Sequence, residues 1–413
     1  MIEEELVRLG LGDVDGGPHD VLRLSMLDWL ACGIAGRGEP VSRVAMAAVK
    51  GQGRCATFLG PPFGTRAAAF VNGTAAHALD YDDTHFAHVG HPSVAVMPAA
   101  LAVAEDVGAS ARELRDAALA GTEASVRFGV WLGRRHYEAG FHQTATAGAI
   151  GATLACARLR QLSPDRTRHA IGIASTMASG LRSQFGTMGK PLNAGHAAAV
   201  GVDAARLAEA GIISNPDALS GPQGFGPSHH GEANPVPPDV WLMSTVSHKL
   251  HACCHGLHAM LEALRGRRMP DGFVTVHTNP RWLTVCDKPA PRTGLEAKFS
   301  YRLTAAMALS GRDTGALGTF SDAACADPEL LALRDRVRVV GDASLTDTQV
   351  LIELGDEILQ YDVAREIPLD ERATRVRAKA AGLIGAETAD RLWKATDQEY
   401  LGDLTDALQD AVS

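Results

Sequence analysis

Apolar positions along the first 245 residues or so recur at helical spacing. Asp20 to Ala35 places Val21, Leu22, Leu24, Met26, Leu27, Leu30 and Ala31 on one helical face. Thr65 to Leu79, Ala111 to Val130 and Thr144 to Leu159 follow the same period and are rich in alanine. Ser163 and Pro164 form a start signal for a helix over Asp165 to Ser179. His196 to Ala210 ends at Gly211, a residue suited to a C-terminal cap. Glycine recurs inside these segments at Gly148, Gly151, Gly172 and Gly201, although each one weakens a helix by about 1 kcal/mol. Close approach of helix backbones accounts for them.

The pattern changes after about residue 225. Gly226 to Pro238 carries Pro227, Pro235, Pro237 and Pro238 and reads as a linker or exposed loop. A helix around His255 to Arg265 is followed by strand-like runs at Phe273 to His277, Trp282 to Cys286, Val337 to Val340, Gln349 to Leu354 and Ile358 to Val363. Ser300 to Leu309 is helical between them, and from Leu369 onward the pattern is helical again. The predicted fold class is mainly α: an all-helical domain of residues 1–245 with 370–413, and a smaller α+β domain of residues 246–369.

Composition sharpens this picture. The 413 residues are 46% apolar and 21% charged, an ordinary globular balance that argues against disorder. Aromatics are only 5%, so small side chains carry the core, as tightly packed helices require. The net charge of −9 argues against nucleic acid as a partner. The seven cysteines form no C-x-x-C and follow no disulfide framework, which suits a reducing, cytoplasmic setting. The acidic start Met-Ile-Glu-Glu-Glu is unlike a signal peptide, and no apolar run reaches the roughly 18 to 20 residues of a membrane span.

Four polar constellations carry candidate chemistry. The densest, His77 to Ser93, holds four histidines and three aspartates directly after an alanine-rich helix. His85, His88 and His91 are three apart, a spacing that suggests zinc, but Gly90 and Pro92 break the helix that would align them. A polar loop with purely structural caps is a second reading. The favoured one is an active-site loop presenting acids, bases and anion donors. The second constellation, Phe185 to Gly195, puts Lys190 near a helix start, where free N–H groups and the helix dipole attract anions. It is not a P-loop, because Pro191 follows the lysine. The third, Ser247 to His258, contains Lys249, His255 and His258, and the fourth is His142 in Gly140-Phe-His-Gln-Thr144. Arg182, Lys190, Lys249, His91 and His142 together would make a cationic pocket for a substrate with several carboxylates. The chain lacks G-x-G-x-x-G, G-x-S-x-G and H-E-x-x-H, the usual marks of dinucleotide binders, serine hydrolases and zinc proteases.

These blocks, in this order, resemble the MmgE/PrpD family, which contains 2-methylcitrate dehydratase, cis-aconitate decarboxylase and iminodisuccinate epimerase. The residues that carry the resemblance are Asn72 to His85, His91 to Ser93, Gly140 to Thr144, Phe185 to Pro191 and Lys249 to His258. The resemblance implies a helical domain, an α+β lid domain with the active site between them, a homodimer, and no metal, flavin or nucleotide. It ties Asp80, Thr84, His91, His142, Lys190 and Lys249 to the site, with Tyr137 as an extra acid/base. Cys254 stands where the family often has a basic or aromatic residue, and Leu303 where it often has tyrosine; Tyr301 is the neighbouring candidate. The expected activity is that of a cofactor-independent lyase or isomerase of a small di- or tricarboxylate. Catalysis is assigned to His91, His142, Asp80 and Tyr137, and substrate binding to Thr84, Arg182, Lys190, Lys249, His255 and His258. The alternatives are a metal-dependent hydrolase using His85, His88 and His91, and a catalytically inactive polycarboxylate binder.

Overall fold

The computed structural model describes residues 1–413. It divides into two units, Met1–His248 with Val376–Ser413, and Lys249–Arg375. The chain is mainly α, with one small sheet confined to the second unit.

The first unit contains α1 (Ile2–Leu11), α2 (His19–Gly36), α3 (Pro40–Ala48), α4 (Thr65–His77), α5 (Ser93–Val107), α6 (Ala111–Glu138), α7 (Gln143–Leu159), α8 (Pro164–Met177) and α9 (Gly189–Glu209). Helices Ala386–Ala395 and Leu401–Val412 complete it. α7 is buried along nearly its whole length and packs against α5, α6 and α9, while α4 packs against α9. Glycine makes these contacts possible. A Cβ on Gly151 would stand 2.4 Å from Gly121 O, and one on Gly73 would stand 2.9 Å from Gly195 Cα. Backbones this close leave no room for larger residues, which is why alanine and glycine fill the core.

Local signals set the helix ends. Ser110 and Glu113 form a reciprocal capping box on α6, and Ser163 accepts from Arg166 N ahead of Pro164 on α8. Gly211, just past α9, has a φ of +103°. Several expectations need correction. α9 starts at Gly189 rather than His196, so Lys190 lies inside the first turn. α6 runs eight residues beyond Val130, with a break at Gly133, where φ is +74°. Trp282 to Cys286 is not a strand: Pro280–Cys286 is a helix, nucleated by Asn279, whose side chain accepts from Arg281 N, and by Pro280 at its first position. That Asn-Pro start outweighs a short apolar run of ambiguous period.

In the second unit, β1 (Val274–Thr278), β2 (Val337–Gly341), β3 (Gln349–Leu354) and β4 (Glu357–Asp362) form a sheet of order β2-β1-β3-β4. β1 pairs parallel with β2 and antiparallel with β3. Helix Tyr301–Leu309 is capped by Ser300 and buries Leu303 fully. The segment expected as a helix over His255 to Arg265 is a 3₁₀ turn, His255–Leu257, followed by helix His258–Ala263. No helix is long and apolar enough to cross a membrane. No disulfide joins any of the seven cysteines.

Candidate active site

The loop from Ala78 to Pro92 leaves α4 and enters α5, and it is fastened at several points. Asp80 takes a left-handed φ of +51°, a conformation that aspartate tolerates better than most residues. Thr84 and Ser247 exchange backbone hydrogen bonds of 2.8 Å each. Asp83 receives the Ser93 hydroxyl and, more weakly, its amide at 3.4 Å, which caps α5. His85 N donates to Gly90 O at 2.9 Å, closing the turn before His91. His91 N in turn donates to Thr144 Oγ1 at 3.0 Å, which pins the turn to the start of α7.

Four histidine and aspartate side chains converge in this loop. His91 lies between two carboxylates: its Nε2 is 3.2 Å from Asp80 Oδ1 and its Nδ1 is 3.0 Å from Asp82 Oδ2. Asp82 also receives His77 Nδ1 at 2.9 and 3.1 Å. The His77 ring meets His91 edge-on at 4.6 Å and stacks on His142 at 5.8 Å. From α9, Lys190 Nζ reaches Asp80 Oδ1 at 2.7 Å, and Asn193 Nδ2 donates to His142 Nδ1 at 3.1 Å. Phe185 lies against the His142 ring at 5.0 Å and under Lys190 at 5.1 Å. The Asp80 side chain is 35% exposed, against 2% for Asp82. The cluster is therefore open at Asp80 and sealed at Asp82.

Burial alone would raise the Asp82 carboxyl, but the rings of His77 and His91 hold it far below the ordinary carboxylate range. Burial lowers His77, with Asp82 pulling the other way. His142 is pushed well below 6.5 by burial and by the cations around it, so it sits as a neutral ring. Asp83 is raised by burial despite hydrogen bonds from Ser93 and Ser25.

Not every expected residue joins this group. Arg182 stacks its guanidinium 3.9 Å over the Tyr137 ring and donates Nη1 to Tyr137 O at 2.9 Å, so these two residues form a pair of their own. Thr84 fastens the loop to Ser247. Lys249, His255 and His258 belong to the second unit. There the rings of His255 and His258 are 4.6 Å apart, and burial, followed by the charges of His255, His251 and Lys249, depresses His258 strongly. Tyr301 does not replace the tyrosine missing at Leu303: its buried hydroxyl donates to Gly256 O at 2.7 Å and meets Thr278 Oγ1 at 2.9 Å, tying helix to strand.

The His85, His88 and His91 triplet does not converge. His85 Nε2 faces Leu242 O and Thr245 Oγ1, and its Nδ1 accepts from His88 N. The His88 ring fills a notch at Gly129 of α6. The zinc-hydrolase reading therefore loses its ligand set. His77, Asp80, Asp82 and His91 do bring donor atoms within 4.8 Å of one another, a spacing a cation could bridge. However, both ring nitrogens of His91 already face carboxylate oxygens, as does Nδ1 of His77, and carboxylates only accept. In this structure the four side chains pair with one another, His77 Nδ1 donating to Asp82 and His91 standing at ion-pair distance from Asp80 and Asp82. Sequence reasoning missed His77, Asp82, Asn193 and Phe185 as members. The readable signal for two of them was His77 and Asp82 flanking the α4 terminus within the same dense block.

A helical unit with glycine-packed helices, an α+β unit and a His–Asp–Lys cluster at the α4–α5 loop define the class. The chain belongs to the MmgE/PrpD family: the MmgE/PrpD N-terminal domain matches residues 18–237 and the MmgE/PrpD C-terminal domain matches residues 251–373. Among curated proteins it is 30% identical over 286 residues to the cis-aconitate decarboxylase-like protein oryM of Aspergillus oryzae, covering 62% of this chain and 59% of that protein. It is 34% identical over 191 residues to the cis-aconitate decarboxylase of Homo sapiens, covering 43% of this chain and 38% of that one. It is 30% identical over 285 residues to the cis-aconitate decarboxylase of Aspergillus terreus, covering 62% and 58%. The matched stretches thus span less than two thirds of the length of each relative.

Proposed function

We propose that this protein is a lyase acting on a small di- or tricarboxylate without a cofactor, and that His91 moves a proton at a carbon next to a substrate carboxylate. The observation that carries this reading is the shared oxygen of Asp80, which lies 2.7 Å from Lys190 Nζ and 3.2 Å from His91 Nε2. A carboxylate is already seated between a cation and an acid–base ring, so the position suits a carboxylate of the substrate once Asp80 turns aside. The named activity of the relatives supports decarboxylation over dehydration or epimerisation.

For a substrate of the cis-aconitate kind, the C–CO₂ bond breaks and its electron pair is delocalised into a remaining conjugated carboxylate. Lys190 stabilises that developing charge, an effect that is large in a preorganised site. The Nε2 proton of His91 is delivered to carbon, CO₂ leaves, and the ring regains its proton from solvent. Proton transfer of this kind contributes roughly 10² to 10⁴ in rate. The test is incubation with cis-aconitate, citrate, 2-methylcitrate and iminodisuccinate in deuterated water, read by proton NMR. Turnover with deuterium incorporated at carbon is the expected result for at least one acid. Thermal stabilisation by these acids with neither turnover nor exchange would replace the enzyme with a polycarboxylate binder.

A further inference from the structure

His77 ends α4 with a side chain that is 0% exposed, and it belongs to neither the substrate side of the cluster nor the apolar core. Its Nδ1 bridges both oxygens of Asp82 at 2.9 and 3.1 Å, while its Nε2 is buried with no hydrogen-bond partner. The second oxygen of Asp82 is 3.0 Å from His91 Nδ1. An ionised carboxylate offers only lone pairs, so the His77 ring donates its Nδ1–H to it, and a proton on His91 Nδ1 is what the 3.0 Å approach of that nitrogen, short of a well-aligned hydrogen bond, favours. Two consequences follow for the protons. His77 is the Nδ1–H tautomer with a bare Nε2. His91 has its Nδ1 proton committed to a sealed carboxylate, which leaves Nε2, on the exposed Asp80 side, as the nitrogen that exchanges protons.

We propose that His77 is a positioning residue for His91: by donating to Asp82 it holds that carboxylate in the orientation that fixes the tautomer of His91 and makes Nε2 the working nitrogen. The inference rests on His91 being the proton carrier proposed above. A buried carboxylate is costly unless its lone pairs are satisfied. With His91 as its only ring donor, Asp82 would be free to rotate or to take up a proton, and either event would release the Nδ1 proton of His91. Burial does push Asp82 upward, and the two rings together overcome it. The groups facing His77 are Asp82, His91 and Lys190, together with His142 stacked on its ring; apart from Asp82, none of them accepts a proton from its Nδ1.

The experiment compares His77→Asn, which keeps an amide donor near the position of Nδ1, with His77→Leu, which removes it. Nitrogen NMR of the His91 ring in the resting, substrate-free protein reads the tautomer directly. The parent and His77→Asn should show a protonated Nδ1, whereas His77→Leu should show a mixture. In turnover, kcat of His77→Leu should fall about 100-fold, within the range of a general acid–base contribution. KM should stay within about threefold, and His77→Asn should recover most of the rate. If His77→Leu does not fold, Asp82→Asn replaces it, because an amide turned to donate forces the His91 proton onto Nε2. A folded His77→Leu or Asp82→Asn protein whose His91 ring titrates and protonates as in the parent overturns the proposal. A changed tautomer combined with full activity of His91→Gln leaves the positioning role standing and removes His91 from the chemistry instead.

Discussion

Lys190 Nζ lies 2.7 Å from Asp80 Oδ1, joining the first turn of α9 to the loop after α4. The lysine thus rests on an internal carboxylate, whose place a substrate carboxylate would take under the proposed function. Lys190→Ala should weaken binding of polycarboxylates by about 10- to 150-fold, the equivalent of the roughly 1.5 to 3 kcal/mol of a hydrogen bond to a charged group. Asp80→Asn should leave the lysine more available and hold the ligand at least as tightly, even if turnover drops. Titration calorimetry with a non-reacting tricarboxylate separates the two. Equal affinity of parent and Lys190→Ala would take the lysine out of binding.

For His91 the expected split is between binding and chemistry. His91→Gln should abolish exchange of substrate hydrogen with deuterated water while keeping affinity within about tenfold, or 1.4 kcal/mol. The ring is nearly buried between Asp80 and Asp82, and its backbone amide is anchored on Thr144, so the glutamine variant has a defined place to sit. Retained exchange would move the role to His142. That ring is 5.8 Å from His77 and holds a single side-chain donor, Asn193.

α2, α4, α6, α7, α8 and α9 were legible because apolar period recurs in segments rich in small residues, with the Ser163-Pro164 start agreeing for α8. The Trp282 to Cys286 segment was misread because five apolar-leaning residues fit a strand as well as a helix, and the deciding residues, Asn279 and Pro280, stand outside the run. In the site, His91, Asp80 and Lys190 were readable as a dense polar block and a lysine near a helix start. The partnership of His91 with Asp82 rather than Asp83 was not. Which of two adjacent aspartates turns inward depends on the left-handed turn at Asp80 and on Ser93 claiming Asp83. The pairing of Arg182 with Tyr137 was not legible either, because Tyr137 comes into reach only after the chain folds back to pair Phe141 with Leu181.

The notch at Gly129 gives a packing test. A Cβ there would stand 1.9 Å from His88 Nδ1, and His88 is fully buried, so a ring rather than a flexible chain end would have to move. Gly129→Ala should destabilise the protein by about 1 to 3 kcal/mol, as overpacking does. His88→Ala should relieve part of that, so the double variant should lose less than the sum of the two single losses. Urea unfolding measures all three. Strict additivity would mean that the ring and the notch do not share space.

The acid side of the stability curve should be set in part by Glu262 of the second unit. Burial would raise its carboxyl, but His251 Nε2 at 3.0 Å and Arg375, whose Nη1 is also at 3.0 Å, bring it down to about 2 from 4.5. The depressed group contributes stability that is fully present above its unfolded value, and this is lost as pH falls through the window from about 4.5 to about 2. Two and a half units correspond to at most roughly 3 to 4 kcal/mol. Asp28 and Glu105 are raised to about 7 by burial, so they favour the folded state as pH falls from 7 toward 4 and add nothing further below that. His85 and His88, held neutral by burial down to about 4 and about 3, oppose them over much of that range. The stability profile should therefore be shallow from about pH 6.5 to 4.5 and steep below. Glu262→Gln should be less stable than the parent at neutral pH, with the gap closing as pH approaches 2. Thermal melts of parent and variant across this range check it, and a gap that stays constant with pH would show that the Glu262 carboxyl titrates alike in the folded and unfolded chain.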